Sequence, residues 1–429
     1  MAKRAPSSSS SGSQLIPSRR QTKRPTRERD WSNLTDGPAG LIAERVLAGD
    51  VADYVRFRAV CTAWRRCSTD PREHNSLDSR FHPRRWFMLR EWPERAAPHR
   101  RRFINAATGQ CVAVDLPEID GHRSFGPTAE GLLVLLPSLA TLLPRNRFQK
   151  CLFPRRKKAF KTCYDRDILV GRDLSVGGAG LAGSDGLIAL YLYNTRMLAV
   201  AKPGDERWTL VLVDHRVPRL ASSLSFAGRF YCVSDDADAV MTVETSENQP
   251  PRLVAAAELA IQYSPMMDTL HLVENGGELM LVHRKHRCMS ASCIVGGDGN
   301  ESHYEMWKWK YEVYIVDLDA MKTTLVHGLN GRALFVGLSR ALSVCPKVFP
   351  SISADTIYPG FELDDKEETE AYHLTDATTE PSTLYNDPLT GVLVLARPYR
   401  INDVLSLFIR GYCDDGSSHA TYARAVAKK

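Results

Sequence analysis

Gly186-Leu-Ile-Ala-Leu-Tyr191 sets a glycine in front of a short apolar run, and the arrangement returns further along the chain. Gly228 leads into Arg229-Phe-Tyr-Cys-Val233, and Gly277 into Glu278-Leu-Met-Leu-Val282. Runs of this length, rich in Val, Leu, Ile, Tyr and Phe and bounded by Gly, Pro, Asp or Asn, read as strands. Ala239-Val-Met-Thr-Val243, Tyr311-Glu-Val-Tyr-Ile-Val-Asp317 and Val404-Leu-Ser-Leu-Phe-Ile409 have the same character. From about Trp86 onward convincing helices are scarce. Many short strands without alternating helices predict an all-β domain. The three glycines stand roughly 40–50 residues apart, the period of a propeller blade. About five to seven blades fit the remaining length. A pair of sandwiches is the structural alternative. A propeller removes exposed sheet edges by closing the ring, which suits a chain with so many short strands.

Upstream the texture is helical. In Tyr54-Val-Arg-Phe-Arg-Ala-Val-Cys-Thr-Ala-Trp64, the residues Tyr54, Phe57, Cys61 and Trp64 recur at helical spacing, with Val60 filling the gap. This predicts a short helix with an aromatic stripe on one side and Arg56, Arg58, Arg65 and Arg66 on the other. Asp50 is placed to cap it, and Asp53 adds negative charge to its first turn. Gly49 suits the end of a preceding helix that starts near Pro38 and carries Leu41, Ile42 and Val46 on one side. Trp31 and Leu34 can fold back over the pair. Pro71 bars continuation. A unit of about forty residues is below the size at which a lone core suffices. The stripe therefore either docks on a partner or packs on the rest of the chain, and physics alone leaves both open.

The chain has 429 residues, 43% hydrophobic and 25% charged, with a formal charge of +6. That is ordinary for a soluble globular protein and implies no nucleic acid by itself. The ten cysteines show no even framework and read as reduced thiols in an intracellular protein. Gly131 to Leu143, the longest apolar run, is interrupted by Pro137 and too short to span a bilayer. Residues 1–28 are Ser- and Arg-rich with almost no apolar side chains, and read as a disordered tail. Such a start also fits a nuclear import signal or an organelle transit peptide. A second basic run, Arg145 to Lys161, reads as a solvated loop. The expected domains are the tail at 1–28, a helical domain at 29–75 and the β domain at 76–429.

The order Trp31-Ser-Asn-Leu34, Leu41-Ile42, Val46, then Val55-Arg-Phe-Arg-Ala-Val-Cys61-Thr-Ala-Trp64-Arg65 resembles the plant F-box. Where that family has Leu-Pro, an acidic residue and paired leucines, this chain has Leu34-Thr35 and Gly37-Pro38-Ala39. The β region resembles the KIB-type β-propeller family, which is often joined to F-boxes. Gly183-Ser-Asp-Gly186-Leu-Ile resembles its blade opening, and Trp208-Thr209 its recurrent tryptophan segment. Phe226-Ala-Gly-Arg-Phe-Tyr231 resembles a strand after a small turn. Tyr311 to Asp317, Gly331-Arg-Ala-Leu-Phe-Val-Gly337 and Asp355-Thr-Ile-Tyr358 form the clearest block. A Cys- and Gly-containing insertion between Arg287 and Ser302 departs from the pattern.

The resemblance implies a mainly β protein: a small three-helix F-box followed by a β-propeller-like domain. It implies a substrate-recruiting subunit of an SCF-type ubiquitin ligase, in the nucleus or cytoplasm, with no catalytic residue or cofactor of its own. Leu34, Leu41, Ile42, Val46, Tyr54, Phe57, Val60, Cys61, Trp64 and Arg65 would contact a Skp-type adaptor, which links to a cullin. The propeller would hold a protein substrate. A non-ligase scaffold with a decayed F-box is the alternative, and a propeller hydrolase a more distant one.

Other chemical signals are weaker. Gly178-Ala-Gly180-Leu-Ala-Gly183 fits the letters of a dinucleotide fingerprint, but a strand follows where a helix is needed, so it reads as a turn. No P-loop lysine or nucleophile elbow is present. His283, His286, Cys288 and Cys293, with His303 nearby, are zinc-ligand types at loose spacing in a Gly-rich loop. Asp364, Asp365, Glu367, Glu368 and Glu370 lack the alternation of a calcium loop and read as solvated. Trp307-Lys-Trp309-Lys-Tyr311 alternates as some nucleic-acid surfaces do. In a strand it also places the aromatics in the core and the lysines in water.

Overall fold

The computed structural model describes residues 31, 34–71, 78–89, 99–120, 122–126, 128–137, 176–183, 186–192, 197–202, 205, 208–211, 220–234, 236, 238–246, 249–294, 301–337, 340–360, 371–380, 384–386, 393–395 and 405. The tail at 1–28, the basic run at 145–161 and the acidic run at 364–370 lie outside them. The chain divides into two compact units, Met1–Glu73 and His74–Lys429.

In the first unit, helix α1 (Asp36–Gly49) holds Pro38 in its first turn, where a missing N–H costs nothing. Gly49 does not terminate it by a left-handed turn. The stop comes at Asp50, whose backbone is extended (φ −159°, ψ 133°) while its N–H still bonds Val46 O. The Asp50 carboxylate accepts from the N–H groups of Ala52 (2.7 Å) and Asp53 (3.3 Å) and so opens α2 (Val51–Val60). A cap of this kind contributes about 1 kcal/mol.

The single helix expected through Trp64 is broken. Cys61 is extended (φ −156°, ψ 168°), and its Sγ accepts from Trp64 N at 3.4 Å to begin α3 (Thr62–Arg66). Trp64 still reaches Phe57, and the rings stack with centroids 4.4 Å apart. A second correction concerns Arg58, expected on the solvated side. It is buried, and its guanidinium donates to Ser68 O (2.5 Å), Thr69 O (2.6 Å) and Asp70 Oδ2 (2.8 Å). The charge is tolerated because its donors are satisfied and a carboxylate is paired with it. Among the described residues the apolar core of the unit is small: Ala39, Ala43, Leu47, Tyr54 and Phe57.

The second unit is almost wholly β. A first antiparallel sheet holds β1 (Trp86–Met88), β2 (Arg100–Asn105) and β3 (Cys111–Asp115). A hairpin follows, β4 (His122–Phe125) with β5 (Val134–Pro137). Next comes a four-stranded meander of β6 (Val176–Leu181), β7 (Ile188–Leu192), β8 (Met197–Ala201) and β9 (Thr209–Leu210). Two further meanders repeat it. One is β10 (Leu220–Phe226), β11 (Arg229–Ser234), β12 (Ala239–Ser246) and β13 (Gln249–Glu258). The other is β14 (Asp268–Asn275), β15 (Glu278–Ile294), β16 (Glu301–Asp317) and β17 (Lys322–Val326). A five-stranded sheet contains β18 (Ala333–Val336), β19 (Ala341–Val344), β20 (Thr356–Pro359), β21 (Ala371–His373) and β22 (Thr379–Glu380) in the order β19-β18-β20-β21-β22. The pair β23 (Leu384–Asn386) and β24 (Leu393–Leu395) comes last.

Gly186, Gly228 and Gly277 fall in corresponding turns, between the first and second strands of three successive meanders. Their φ angles are 76°, 77° and 97°, a region where a side chain is strained. The repeat read from the sequence is thus a repeated turn. Apolar layers fill the spaces between neighbouring sheets. Leu198 and Val200 meet Phe230 and Cys232, while Tyr231 and Val233 meet Leu270 and Leu272. Val282 and Val313 meet Leu334 and Ile357, and Phe335 and Tyr358 meet Leu89 and Ile104. The meanders β10–β13 and β14–β17 also touch at both margins. Their outer strands join in parallel at Glu258 and Lys322. Leu272 N donates to Ser222 Oγ across the inner strands at 2.9 Å. The result is a nearly closed, eight-stranded wrap within a β-propeller-like domain.

The glycine fingerprint at 178–183 is corrected. Gly178 and Gly180 lie within strand β6, not in a turn. A Cβ on Gly178 would stand 1.9 Å from Ser223 Oγ, and one on Gly180 would stand 2.2 Å from Ser225 Cβ. These glycines let β6 and β10 approach each other.

Candidate interaction surfaces

The ten adaptor-contact residues expected from the sequence separate into distinct settings. Tyr54 is fully buried, and its hydroxyl donates to Thr69 O at 2.8 Å. Phe57 is buried beneath Trp64. Both serve the unit's own core. Leu34, Val46, Cys61 and Trp64 are half-buried. The Trp64 indole N–H donates to Trp31 O at 3.1 Å, so the segment ahead of α1 does fold back. Arg65 is exposed and its Nε donates to Arg58 O at 3.3 Å.

Leu41 is 71% exposed, Val60 62% and Ile42 39%. Val55, 52% exposed, joins them, although its position beside the aromatic stripe hid it in the sequence. Covering an aliphatic side chain of this size is worth about 1.5–3 kcal/mol when complete. Helix α2 therefore keeps its aromatics inside, and both helices offer aliphatics outside.

In the β unit, the histidines considered for zinc have other tasks. His283 is buried, and its Nε2 meets Asp268 Oδ2 at 3.1 Å. Asp268 also accepts from Arg287 Nη1 at 2.7 Å and from Ser264 N at 3.0 Å. Burial pushes the Asp268 carboxyl up, but the bonds from Arg287, Ser264 and His283 prevail and hold it below its ordinary value. Burial lowers His283, with Asp268 pulling the other way. His286 stacks on Trp309 with centroids 4.4 Å apart. His283 and His286 lie on opposite faces of β15 by the strand period. The side chains of Cys288, Cys293 and His303 lie outside the described residues. Among the described residues no group of three His, Cys, Asp or Glu is placed to hold a metal. The loop expected around 288–302 is largely strand, with β15 and β16 paired from Met280–Ile315 to Ile294–Glu301. Lys308 and Lys310 are exposed while Tyr311 is buried, as strand alternation requires. No helix among the described residues is long and apolar enough to cross a membrane.

Fold and exposed faces together define a propeller-like protein with a small helical unit at its N-terminal end. The KIB1-4 beta-propeller family model matches residues 63–379, and the chain belongs to that family. The match begins within α3, so α1 and α2 precede it. A comparison with curated proteins finds no match. Among solved structures, the chain is similar to a putative 6-phosphogluconolactonase from Bacteroides uniformis ATCC 8492. The identity is 11%, with 73% of this chain and 95% of that one covered, at a TM-score of 0.26. A protein from Lactobacillus plantarum has 13% identity over 70% of this chain and 82% of its own, at a TM-score of 0.21. Similarity this low carries no inference about activity.

Proposed function

We propose that this chain recruits substrates to an SCF-type ubiquitin ligase, with α1–α3 acting as an F-box and the β unit holding the target protein. The observation behind this reading is the exposure of Leu41 and Val60, with Ile42 and Val55, on a unit too small to spend apolar surface freely. A Skp-type adaptor would cover these side chains and connect the chain to a cullin. The loops of the propeller would present a protein substrate. The chain would need no catalytic residue or cofactor of its own. Its contribution would be proximity, since tethering turns a slow encounter between target lysine and loaded E2 into an effectively intramolecular one. The work would take place in the nucleus or cytoplasm.

Leu41→Asp and Val60→Asp test this reading better than Trp64→Ala, because Trp64 also supports Phe57. Each should cut co-purification of a Skp-type adaptor at least about tenfold, as loss of one buried aliphatic anchor would. Helical content should be unchanged by circular dichroism. Undiminished capture by both variants would remove the ligase reading. Failure of the unaltered chain to bind any such adaptor would favour the scaffold alternative, to which Gly37-Pro38-Ala39 already points.

A further inference from the structure

The hairpin of β15 and β16 outruns its neighbours. Strand β14 pairs with β15 only as far as Lys285, and β17 pairs with β16 only from Val313 onward. Cross-strand pairing nevertheless continues to Ile294 and Glu301. A two-stranded ribbon therefore leaves the meander, and the pleat gives it two different faces.

One face is aromatic. The Arg284 guanidinium stands 3.3 Å from the Trp309 ring centroid, and His286 stacks on the same ring. Arg284 Nε donates to the Tyr311 hydroxyl at 3.0 Å. The Trp309 ring is thus taken up by its own neighbours.

The other face is cationic. Lys285 stands opposite Lys310, and Arg287 opposite Lys308. Like charges placed directly across a ladder destabilise it. Two acids offset part of this: Glu312 pairs with Lys285, and Asp268 accepts from Arg287. Lys308 and Lys310 are exposed, and among the described residues no carboxylate pairs with them. Arg287, with its side chain 39% exposed, also keeps part of its guanidinium in water. The fold thus employs Lys285 and Arg287 in ion pairs, and employs Lys308 and Lys310 in none among the described residues.

We propose that this face binds an extended acidic peptide segment of a partner protein, with carboxylates on Lys308, Lys310 and Arg287. The two lysines are two residues apart on one strand, or about 7 Å. Alternate side chains of an extended peptide have the same spacing, so an acid-x-acid pattern matches them. Single-stranded nucleic acid fits less well, because it needs free aromatic faces beside the cations, and Trp309 lies on the opposite face of the ribbon with Arg284 and His286 on its ring. This inference is independent of the helical unit and of any adaptor.

The test uses the full chain and a fluorescein-labelled peptide of alternating Glu and Ser, followed by anisotropy. A Gln-Ser peptide and a labelled oligouridine serve as comparisons. The acidic peptide should bind and weaken steeply with added salt. The double variant K308Q/K310Q should bind about tenfold more weakly, and K322Q, an exposed lysine on β17, should match the unaltered chain. Both positions are solvent-exposed, so the far-ultraviolet dichroism of the variants should be unaltered. Absence of binding to the acidic peptide, equal loss in K322Q, or tighter binding of oligouridine would each overturn the proposal.

Discussion

His271, on β14, uses both ring nitrogens. Nδ1 stands 3.1 Å from Gly337 O and must donate to it, which leaves Nε2 to accept from the Thr269 hydroxyl at 3.0 Å. The neutral ring makes both bonds, and burial is what keeps it neutral. Burial, assisted by the nearby Arg284 charge, lowers its pKa to about 3. The sign follows from linkage. The unfolded chain takes up a proton near the ordinary value of 6.5 while the folded one does not. The stabilisation is therefore complete above pH 6.5 and is lost as the pH falls toward 3, at up to about 1.4 kcal/mol per pH unit. Protonating carboxylates adds a loss of its own, so the comparison should be with His271→Asn, whose amide retains a donor. The native chain should be the more stable at pH 7.5 by urea denaturation, and the gap should close by pH 4.5. A gap of constant size would mean that His271 does not titrate on unfolding. None of this was legible in the sequence, since a histidine in an alternating strand reads the same whether buried or free. Arg58 escaped for a similar reason: its helical phase put it on the solvated side, and its partners Ser68 to Asp70 lie beyond the helix.

The strands themselves were far easier to read, because glycine followed by an apolar run states both a turn and a buried ladder. The repeat through Gly186, Gly228 and Gly277 survived into three corresponding turns. Strand β6 is hard to read because three of the six residues in Val176-Gly-Gly-Ala-Gly-Leu181 are glycines, and the reason for that lies on another strand. Inner strands of a propeller crowd toward the axis, and here Ser223 and Ser225 of β10 occupy the space a β6 side chain would need. The break at Cys61 was invisible for the opposite reason, since helical periodicity continues in register across it. The crowding can be measured. Gly178→Ala should destabilise the β unit by about 1–3 kcal/mol, the usual cost of overpacking. Ser223→Ala in the same chain should recover most of it, because the Ser223 hydroxyl makes the closest contact at 1.9 Å. Simple additivity of the two in denaturant titrations would show that the strands do not press on each other there.

On the scale of the whole chain, the two units differ in how much core each has relative to its size. The β unit interleaves apolar layers between neighbouring sheets, whereas the buried apolar side chains of the helical unit, among the described residues, are two alanines, Leu47, Tyr54 and Phe57. Helical spacing and the Asp50 cap of α2 are legible in the sequence, whereas the stop at Asp50 and the cap at Cys61 are not. The sequence could not sort Tyr54 and Phe57 from Leu41 and Val60, because all four are apolar letters and only the packing of α1 on α2 decides which point inward. A small core with exposed aliphatics should open locally far more often than a layered β body. Hydrogen exchange on the full chain should therefore find the amides of α1 and α2 exchanging orders of magnitude faster than those of β11 and β15. A partner that binds only the closed helices stabilises them by mass action, by about 2.7 kcal/mol at a hundredfold excess over its Kd. Adding a Skp-type adaptor should accordingly slow exchange in α1 and α2 by about a hundredfold and leave β11 unchanged. If the helices were already as protected as the strands, and indifferent to adaptor, their aliphatic face would be a feature of the chain's own packing and not a seat for another protein.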